Sequence, residues 1–240
     1  MVKVGSARSN EKGGITGGVP GDQTGRECSI QNWYLHNKGW IVIRAVDEIT
    51  RNHIARCMED ICENNNIGYC QTHRTSLYSA ASIVGFNVRG VKIPCETDCS
   101  DAVRTCLAFA GIQLQPFTTG SMVNRLALTN KFDILNGSIY TTKPDYLCRG
   151  DILVTKTKGH TVVVLSDGLR KTALPQLQLG DRGESVRRLQ IKLRDLNFYH
   201  DNIDGEFGQK LKQSVIAYQG MENLTKDGIV GKNTHAKLGV

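Results

Sequence analysis

Apolar residues recur at helical spacing in the first half of the chain. In residues 46–63 they lie three or four positions apart, which places them on one face of a helix. The predicted buried stripe of this helix consists of Val46, Ile49, His53, Cys57 and Ile61. On this stripe, we expect His53 to be a hydrogen-bonded core histidine.

A second helix is predicted for residues 99–110. The segment Thr97-Asp98-Cys99-Ser100 spans the start of this helix and places a polar residue before a periodic apolar run. The helix ends at Gly111. A polar residue at this point marks a helix start, because its side chain can accept a hydrogen bond from a free backbone N–H. We therefore expect Cys99 in the first turn and Cys106, two turns further on, in the core.

Runs of β-branched residues follow later in the chain, at residues 150–155 and 160–165. They are separated by Lys156-Thr-Lys-Gly159, a pattern typical of an antiparallel hairpin. Because the helices come before the strands, the order favours an α+β domain over a doubly wound parallel sheet. Residues 1–40 are rich in Gly, Ser, Asn and Thr and indicate a loop-rich arm, which packs through the two Trp residues of the chain.

The pattern changes after residue 173, where Leu174-Pro175-Gln-Leu-Gln-Leu-Gly180 indicates a linker over residues 174–180. We therefore expect a catalytic domain in residues 1–173 and a smaller domain in residues 181–240.

Helical spacing returns in this smaller domain, at residues 185–196 and 211–218. Each predicted helix is followed by a similar turn, Asp204-Gly-Glu-Phe-Gly208 and Asp227-Gly-Ile-Val-Gly231. The repeat of Asp-Gly-x-apolar-Gly predicts two equivalent tight turns, each pinned to the small core by its apolar residue.

These turns, together with Leu179-Gly180-Asp181 and Tyr218-Gln219, make residues 181–240 resemble the type 1 peptidoglycan-binding domains. The resemblance implies a three-helix module that anchors its chain to bacterial cell wall. It also implies wall-binding roles for Asp204, Phe207, Asp227 and Val230. The alternative is a small helical domain that binds another ligand.

Composition and charge restrict the partners. The 240 residues include 30 Lys and Arg against 23 Asp and Glu, a formal net charge of +7 that is spread along the chain. A mild positive field favours polyanions, among them nucleic acid, anionic membrane and wall polymers. We see no interleaving of aromatic and basic residues and no nucleic-acid motif, so nucleic acid is not expected as a partner. Membrane insertion is not expected either, because the apolar runs are short. We expect a monomer.

Eight cysteines lie in the first 148 residues. The start of the chain lacks the apolar stretch of a secretory signal, which argues against a disulfide framework. No Cys-x-x-Cys pair or zinc-finger spacing occurs. We therefore expect mostly buried, free cysteines, and no cofactor and no metal, although a zinc site built from scattered residues stays open.

Cys99 carries the clearest chemistry. At a helix start, free backbone N–H groups and the helix dipole stabilise an anion, so we expect a lowered thiol pKa and a nucleophilic thiolate. A thiolate needs a base near neutral pH, which is the role of a histidine. His160 is the best candidate of the six, because it opens an apolar strand directly after Gly159, at the rim of the hairpin.

Three motifs make residues 65–168 resemble the NlpC/P60 cell-wall cysteine peptidases, namely Asp98-Cys99-Ser100, Gly150-Asp151-Ile-Leu and Gly159-His160-Thr-Val-Val-Val-Leu-Ser-Asp167-Gly168. This family shares a papain-like core with the CHAP amidohydrolases. The resemblance implies that Cys99 is the nucleophile and His160 the general base. It further implies that Tyr69 contacts substrate, and we assign Asp98 and Ser100 to the same substrate site.

The third catalytic residue is left open by the sequence. Asp167 is the candidate that we carry forward, but seven strand residues span about 23 Å and an odd offset points its side chain to the other face. Thr172 lies nearer to the expected position and is a poor orienter of imidazole. The remaining candidates, which could reach in from loop-rich segments, are Asp22, Gln23 and His73.

The function expected from these features is that of a phage endolysin, which cuts an amide bond of the peptidoglycan stem peptide as an endopeptidase. The first alternative is an N-acetylmuramoyl-L-alanine amidase of the CHAP type. The others are a non-catalytic wall-binding protein and an intracellular cysteine protease or transferase. An endolysin without a signal segment would be made in the bacterial cytoplasm and would reach the wall through a holin lesion.

Overall fold

The computed structural model describes residues 1–171 and 174–239. The strands are β1 Lys3–Ala7, β2 Cys28–Asn32, β3 Trp40–Ala45, β4 Ile67–Tyr69, β5 Cys95–Thr97, β6 Phe132–Leu135, β7 Ile152–Thr155 and β8 Thr161–Val164. The α-helices are α1 Glu48–Glu63, α2 Ser76–Ile83, α3 Cys99–Phe109, α4 Thr119–Ala127, α5 Ser138–Thr141, α6 Glu184–Asp195, α7 Gln209–Met221 and α8 Lys232–Leu238. Within these described ranges, no helix has the length and apolar character needed to cross a membrane.

The main sheet has six strands in the order β2-β1-β8-β7-β3-β6, and every neighbouring pair is antiparallel. The predicted hairpin of β7 and β8 is confirmed. The arm is only partly loop, because it contributes β1 and β2 to the edge of the sheet next to β8. These two strands are not evident from composition, because each has only five residues and the 20 residues between them are irregular.

Helices α1 and α3 pack together and cover one face of this sheet. Their buried side chains form a core with alternate residues of the strands, including Ile43 and Val163. The intervening strand residues, including Val42 and Val162, point to the other face and join a second apolar cluster that continues into α6 and α7. The alternation follows from the two-residue period of a strand.

The predicted stripe of α1 is wrong at its start. Ile49 is 66% exposed, and His53 is exposed with its ring edge-on to Phe109, at a centroid distance of 5.7 Å. The face that is buried runs through Ile54, Ala55, Cys57, Met58 and Ile61. These residues have the expected helical spacing, but the packed face is rotated by about one residue from the stripe predicted through His53.

A buried ion pair joins β3 to the turn before β7. Nε and Nη2 of Arg44 donate to the two carboxylate oxygens of Asp151, at 2.8 and 2.6 Å. Gly150 precedes this aspartate with φ +87°, and a Cβ there would lie 2.0 Å from the carbonyl oxygen of Arg51. The Gly150-Asp151 motif therefore has a structural role: it fixes the strand that leads to the β7–β8 hairpin.

In the described residues after 181, three helices form the C-terminal unit, as expected. This unit docks on β6, where the backbones of Ile134 and Arg182 exchange hydrogen bonds of 2.7 and 3.1 Å. Nearby, the carboxylate of Asp133 accepts hydrogen bonds from the backbone and the side chain of Ser185.

Candidate active site

Cys99 is the first residue of α3, and Asp98 alone separates it from β5. Asp98 caps the helix, because its carboxylate accepts a hydrogen bond of 2.7 Å from the backbone N–H of Asp101. The predicted helix start is thus confirmed. The backbone N–H groups of Cys99 and Ser100 remain directed at the Cys99 sulfur.

The start of β8 lies against this helix start. Thr161, its first residue, directs its backbone N–H at the Cys99 sulfur. His160 immediately precedes Thr161, so the backbone of the predicted base passes the predicted nucleophile, and catalysis by this pair stays a prediction. Cys99 is 7% exposed and His160 is half-buried.

Burial decides the charge state of both groups. It raises the pKa of the Cys99 thiol to about 12, with a further contribution from the negative charge of Asp98 and against the effect of the three N–H groups. Burial also lowers the pKa of His160 to about 4, and the positive charges of Arg8 and His36 act in the same direction. The expected thiolate is therefore wrong for the resting protein: at neutral pH the site holds a thiol beside an uncharged imidazole.

The arm supplies groups that the sequence did not predict. Gly5 pairs with Val163 in the β1–β8 ladder, Arg8 directly follows β1, and His160 directly precedes β8. Nη1 of Arg8 donates to the side-chain oxygen of Gln31 on β2, whereas its Nε is buried without a hydrogen-bond partner. Nothing in the sequence pointed to Arg8, because its position depends on the pairing of β1 with a strand 150 residues further on.

Two tyrosines border the thiol. Tyr69, at the end of β4, has a buried hydroxyl that accepts a hydrogen bond of 3.2 Å from Gln71. Burial raises the pKa of Tyr69 to about 12, and the charges of Cys99 and Asp98 add to the shift. Burial likewise raises the pKa of Tyr34. The ionised form of Cys99 would raise the pKa of both tyrosines further, which places both rings in the neighbourhood of the thiol.

The side chains of Asp98 and Ser100 do not face a substrate, contrary to expectation. Ser100 is 1% exposed, and its hydroxyl donates to Asp98 at 2.8 Å. Arg74 donates to both residues, at 3.1 and 3.0 Å. These contacts use their polar atoms to hold the start of α3 in place.

Asp167 lies beyond the far end of β8 from His160. Its carboxylate accepts hydrogen bonds from the backbone N–H of Arg149 and from Lys171, at 2.9 and 2.6 Å. The prediction that Asp167 orients His160 is therefore wrong, for the geometric reason that already made it doubtful: β8 separates the two residues.

The other candidates for this role are also engaged elsewhere. Asp22 accepts backbone hydrogen bonds within residues 22–27, and Gln23 bonds to nearby carbonyl oxygens. Nδ1 of His73 lies 2.9 Å from Glu96. Thr172 lies outside the described residues. Among the described residues, Arg8 and His36 are the titratable groups that act on the pKa of His160, after burial.

The four residues expected to bind cell wall build the two turns of the C-terminal unit. Phe207 and Val230 are buried in its core, at 2% and 0% exposure. Asp204 accepts a hydrogen bond from Gln190, and Asp227 accepts one from Gln219, at 2.7 and 2.9 Å. Both aspartates stay exposed, so contact of these turns with a wall ligand stays a prediction.

One cleft lies beside the second turn. It is lined by Gln176, Thr225, Asp227, Ile229, Lys232 and Asn233, among others. The lining combines amide, hydroxyl, carboxylate and ammonium groups with apolar side chains. Such a surface can hydrogen-bond a sugar or peptide and attract an anionic polymer.

Comparison with known protein families finds one match in each of two segments of the chain. Residues 4–171 match a family model described as an endolysin-like domain. Residues 182–238 match a model described as a peptidoglycan binding domain.

Two curated relatives are cell-wall enzymes by name. The chain is 38% identical over 80 residues to N-acetylmuramoyl-L-alanine amidase CwlL of Bacillus licheniformis, which is 31% of this chain and 21% of the relative. It is 40% identical over 56 residues to N-acetylmuramoyl-L-alanine amidase CwlM of Mycobacterium tuberculosis, which is 23% of this chain and 14% of the relative. The chain therefore spans less than a quarter of the length of either relative.

One solved structure with sequence likeness is the Burkholderia AP3 phage endolysin. Its identity to this chain is 36%, and the match covers 27% of this chain and 24% of that one. The TM-score is 0.26, and a score this low carries no argument about the fold.

Proposed function

This chain belongs to the endolysin-like domain family, and from that premise we propose that it is a peptidoglycan hydrolase that cuts amide bonds through Cys99 and His160. The observation that carries the proposal is the placement of Cys99 at a helix start against Thr161, the residue after His160. The peptidoglycan-binding domain in residues 182–238 supports the choice of substrate, because it would hold the enzyme on the wall. The motifs around Cys99 and His160 support an NlpC/P60-type mechanism.

The proposed reaction starts from two uncharged groups. The Cys99 sulfur attacks the amide carbonyl carbon while its proton passes to His160, and a sulfur–carbon bond forms. The carbon–nitrogen bond then breaks, and His160 gives this proton to the leaving amine. Water, deprotonated by His160, adds to the thioester and releases the acid, and Cys99 takes the proton back as it leaves. A neutral imidazole suits this sequence, since it must first accept a proton.

Backbone donors at the start of α3 can stabilise the negative oxygen that forms in each step. The N–H groups of Cys99 and Ser100 lie at the sulfur and have no helical acceptor, because they belong to the first turn. The unpartnered Nε of Arg8 is a further donor near this site, suited to a carbonyl or carboxylate of the stem peptide. We assign substrate contact to Arg8, Tyr34 and Tyr69.

Two amide bonds fit this chemistry, and they differ only in which bond enters the cleft. We favour a peptide bond within the stem, which makes the enzyme an endopeptidase. The second candidate is the bond between muramic acid and L-alanine, and the names of the two amidase relatives favour it. Mass spectrometry of muropeptides released from purified walls decides between them, because an endopeptidase leaves part of the stem attached to the sugar and an amidase leaves none.

The proposal is tested with Cys99→Ala in the full chain. We expect this variant and His160→Ala to pellet with purified walls as the wild type does but to clear no turbidity. Cys62→Ser is the matched control, since Cys62 is a partly exposed cysteine on α1, and it should lyse walls normally. Lysis by Cys99→Ala would remove Cys99 from the mechanism. Wall binding without lysis by the wild type would favour a non-catalytic binding protein.

A further inference from the structure

A second group of reactive side chains lies on the short parallel sheet of β4 and β5. Cys70 follows β4 directly and Glu96 lies within β5, and the pairing of Tyr69 with Thr97 brings the two strands together. His73 reaches back over them from the loop after Cys70. One ligand atom from each of Cys70, His73 and Glu96 can be chosen so that all three lie within 4.8 Å of one another.

Glu96 is only partly satisfied in this group. The residue is 2% exposed, and its Oε2 lies 2.9 Å from Nδ1 of His73. Its Oε1 is buried and has no hydrogen-bond partner. A buried carboxylate oxygen without a partner is costly, whereas a cation at this point would satisfy it.

Two opposing effects act on the pKa of the Cys70 thiol. Its residue is fully buried, which by itself raises the thiol pKa. The backbone N–H groups of His73, Thr72 and Gly17 all point at the sulfur and lower the pKa by more than burial raises it.

We propose that Cys70, His73 and Glu96 bind one zinc ion. Thiolate, imidazole and carboxylate are the donors that zinc takes in proteins, whereas magnesium and calcium prefer an all-oxygen set. Zinc bonds of about 2.0–2.3 Å place tetrahedral ligands roughly 3–4 Å apart, so the group needs to contract only slightly. The side chain of His73 is 62% exposed and free to make that movement. Water would complete the coordination, and any proton on Cys70 would leave to solvent.

The loop that would hold the ion is also the loop against which the arm packs. The backbone N–H of Gln71 donates to the carbonyl of Ile15 at 2.8 Å, and the N–H of Gly17 faces the Cys70 sulfur. Both contacts join residues 15–17 to the loop after β4. Zinc at Cys70 would therefore stabilise this loop one residue away from Tyr69. It would act as a structural ion, and the inference does not depend on hydrolase activity.

The test uses the full chain after treatment with a chelator. Cobalt(II) serves as the probe, because cobalt bound to a thiolate gives a charge-transfer absorption that zinc then abolishes by displacement. We expect one cobalt per chain and a rise in Tm on adding zinc. Cys70→Ser should lose the charge-transfer band, and Glu96→Gln, which keeps the shape of the side chain, should weaken zinc binding at least tenfold.

Two controls separate this site from the catalytic one. Cys99→Ala should bind cobalt with an unchanged spectrum although it lyses no walls, and Cys62→Ser should bind it as the wild type does. A wild-type chain that takes up no metal overturns the proposal. So does uptake that Cys70→Ser and Glu96→Gln leave unchanged, or uptake that is lost in Cys99→Ala.

Discussion

Arg8 directly follows β1 and His160 directly precedes the neighbouring strand β8, and the positive charge of Arg8 adds to burial in lowering the pKa of the His160 imidazole. A cation at this position is the reverse of the carboxylate that orients the base in many Cys-His and Ser-His enzymes. It keeps His160 unprotonated at neutral pH, ready to accept the proton of the Cys99 thiol. The arrangement therefore favours proton transfer during attack over a preformed ion pair.

The first prediction concerns the pH dependence of wall lysis. His160 acts as a base only when uncharged, so kcat/KM should fall as the pH drops through its pKa of about 4. The Cys99 thiol, with a pKa of about 12, should add no alkaline limb in the ordinary range. Lysis rates of purified walls, corrected for the bound fraction at each pH, measure this profile. A bell-shaped pH profile with limbs near pH 6 and 8 would instead indicate an ion pair of Cys99 thiolate and His160 imidazolium.

The second prediction isolates Arg8. Replacing Arg8 by Gln removes a positive charge from the site, so the pKa of His160 should rise and the acid limb should move to higher pH by up to about one unit. Because burial is the larger cause of the shift, the limb should stay below the ordinary histidine value. Lys3→Gln, at the other end of β1, removes the same charge and should leave the profile in place. An unshifted limb in Arg8→Gln contradicts the assigned role.

Local patterns in the sequence predicted the catalytic helix and hairpin well. The polar cap at Asp98, the position of Cys99 and the β7–β8 hairpin all depend on neighbours within a few residues, and the structure confirms each of them as an element. The charge on Cys99 was predicted wrongly, because a helix start favours a thiolate while burial, which is a property of the tertiary structure, opposes it more strongly.

What the sequence missed depends on long-range pairing. Arg8 reaches His160 only because β1 pairs with β8, and the Gly-rich residues between β1 and β2 hide both strands. The internal contacts of the two C-terminal turns were missed for a related reason. Asp204 and Asp227 mark the turns by their sequence, yet the glutamines that use these carboxylates lie 14 and 8 residues earlier in the chain.

The third prediction tests the conclusion that Asp167 does not orient His160. Asp167→Asn should lower kcat/KM by no more than about twofold, because Asp167 contacts Arg149 and Lys171 and not His160. As a change at a surface contact, it should alter the free energy of unfolding by roughly 0.5 kcal/mol or less. Its ion pair with Lys171 is about half exposed and contributes little. A residue that orients the base would matter far more, since general-base catalysis contributes roughly 10²–10⁴-fold. His160→Ala, assayed in parallel, sets that scale.

The fourth prediction concerns the two turns of the C-terminal unit. Nε2 of Gln190 donates to Asp204 and its Oε1 accepts from the backbone N–H of Gly205, at 2.7 and 2.8 Å. Gln219 makes the same pair of contacts with the second turn, at 2.9 and 2.9 Å. One buried amide therefore closes each turn, so the two halves of the sequence repeat are equivalent in their hydrogen bonds as well as in their residues.

Removing either amide should destabilise the unit to a similar extent. Gln190→Ala and Gln219→Ala each leave a buried backbone N–H without its acceptor, which costs about 1–3 kcal/mol. Urea unfolding of the full chain, followed together with pelleting on purified walls, measures both the loss of stability and its effect on binding. Gln213→Ala is the matched control, because Gln213 is exposed on α7 and should change the free energy of unfolding by less than about 0.5 kcal/mol. If either buried variant is as stable as this control, its amide does not hold the turn. Equal losses of stability in both variants would show that the two turns are held by equivalent hydrogen bonds.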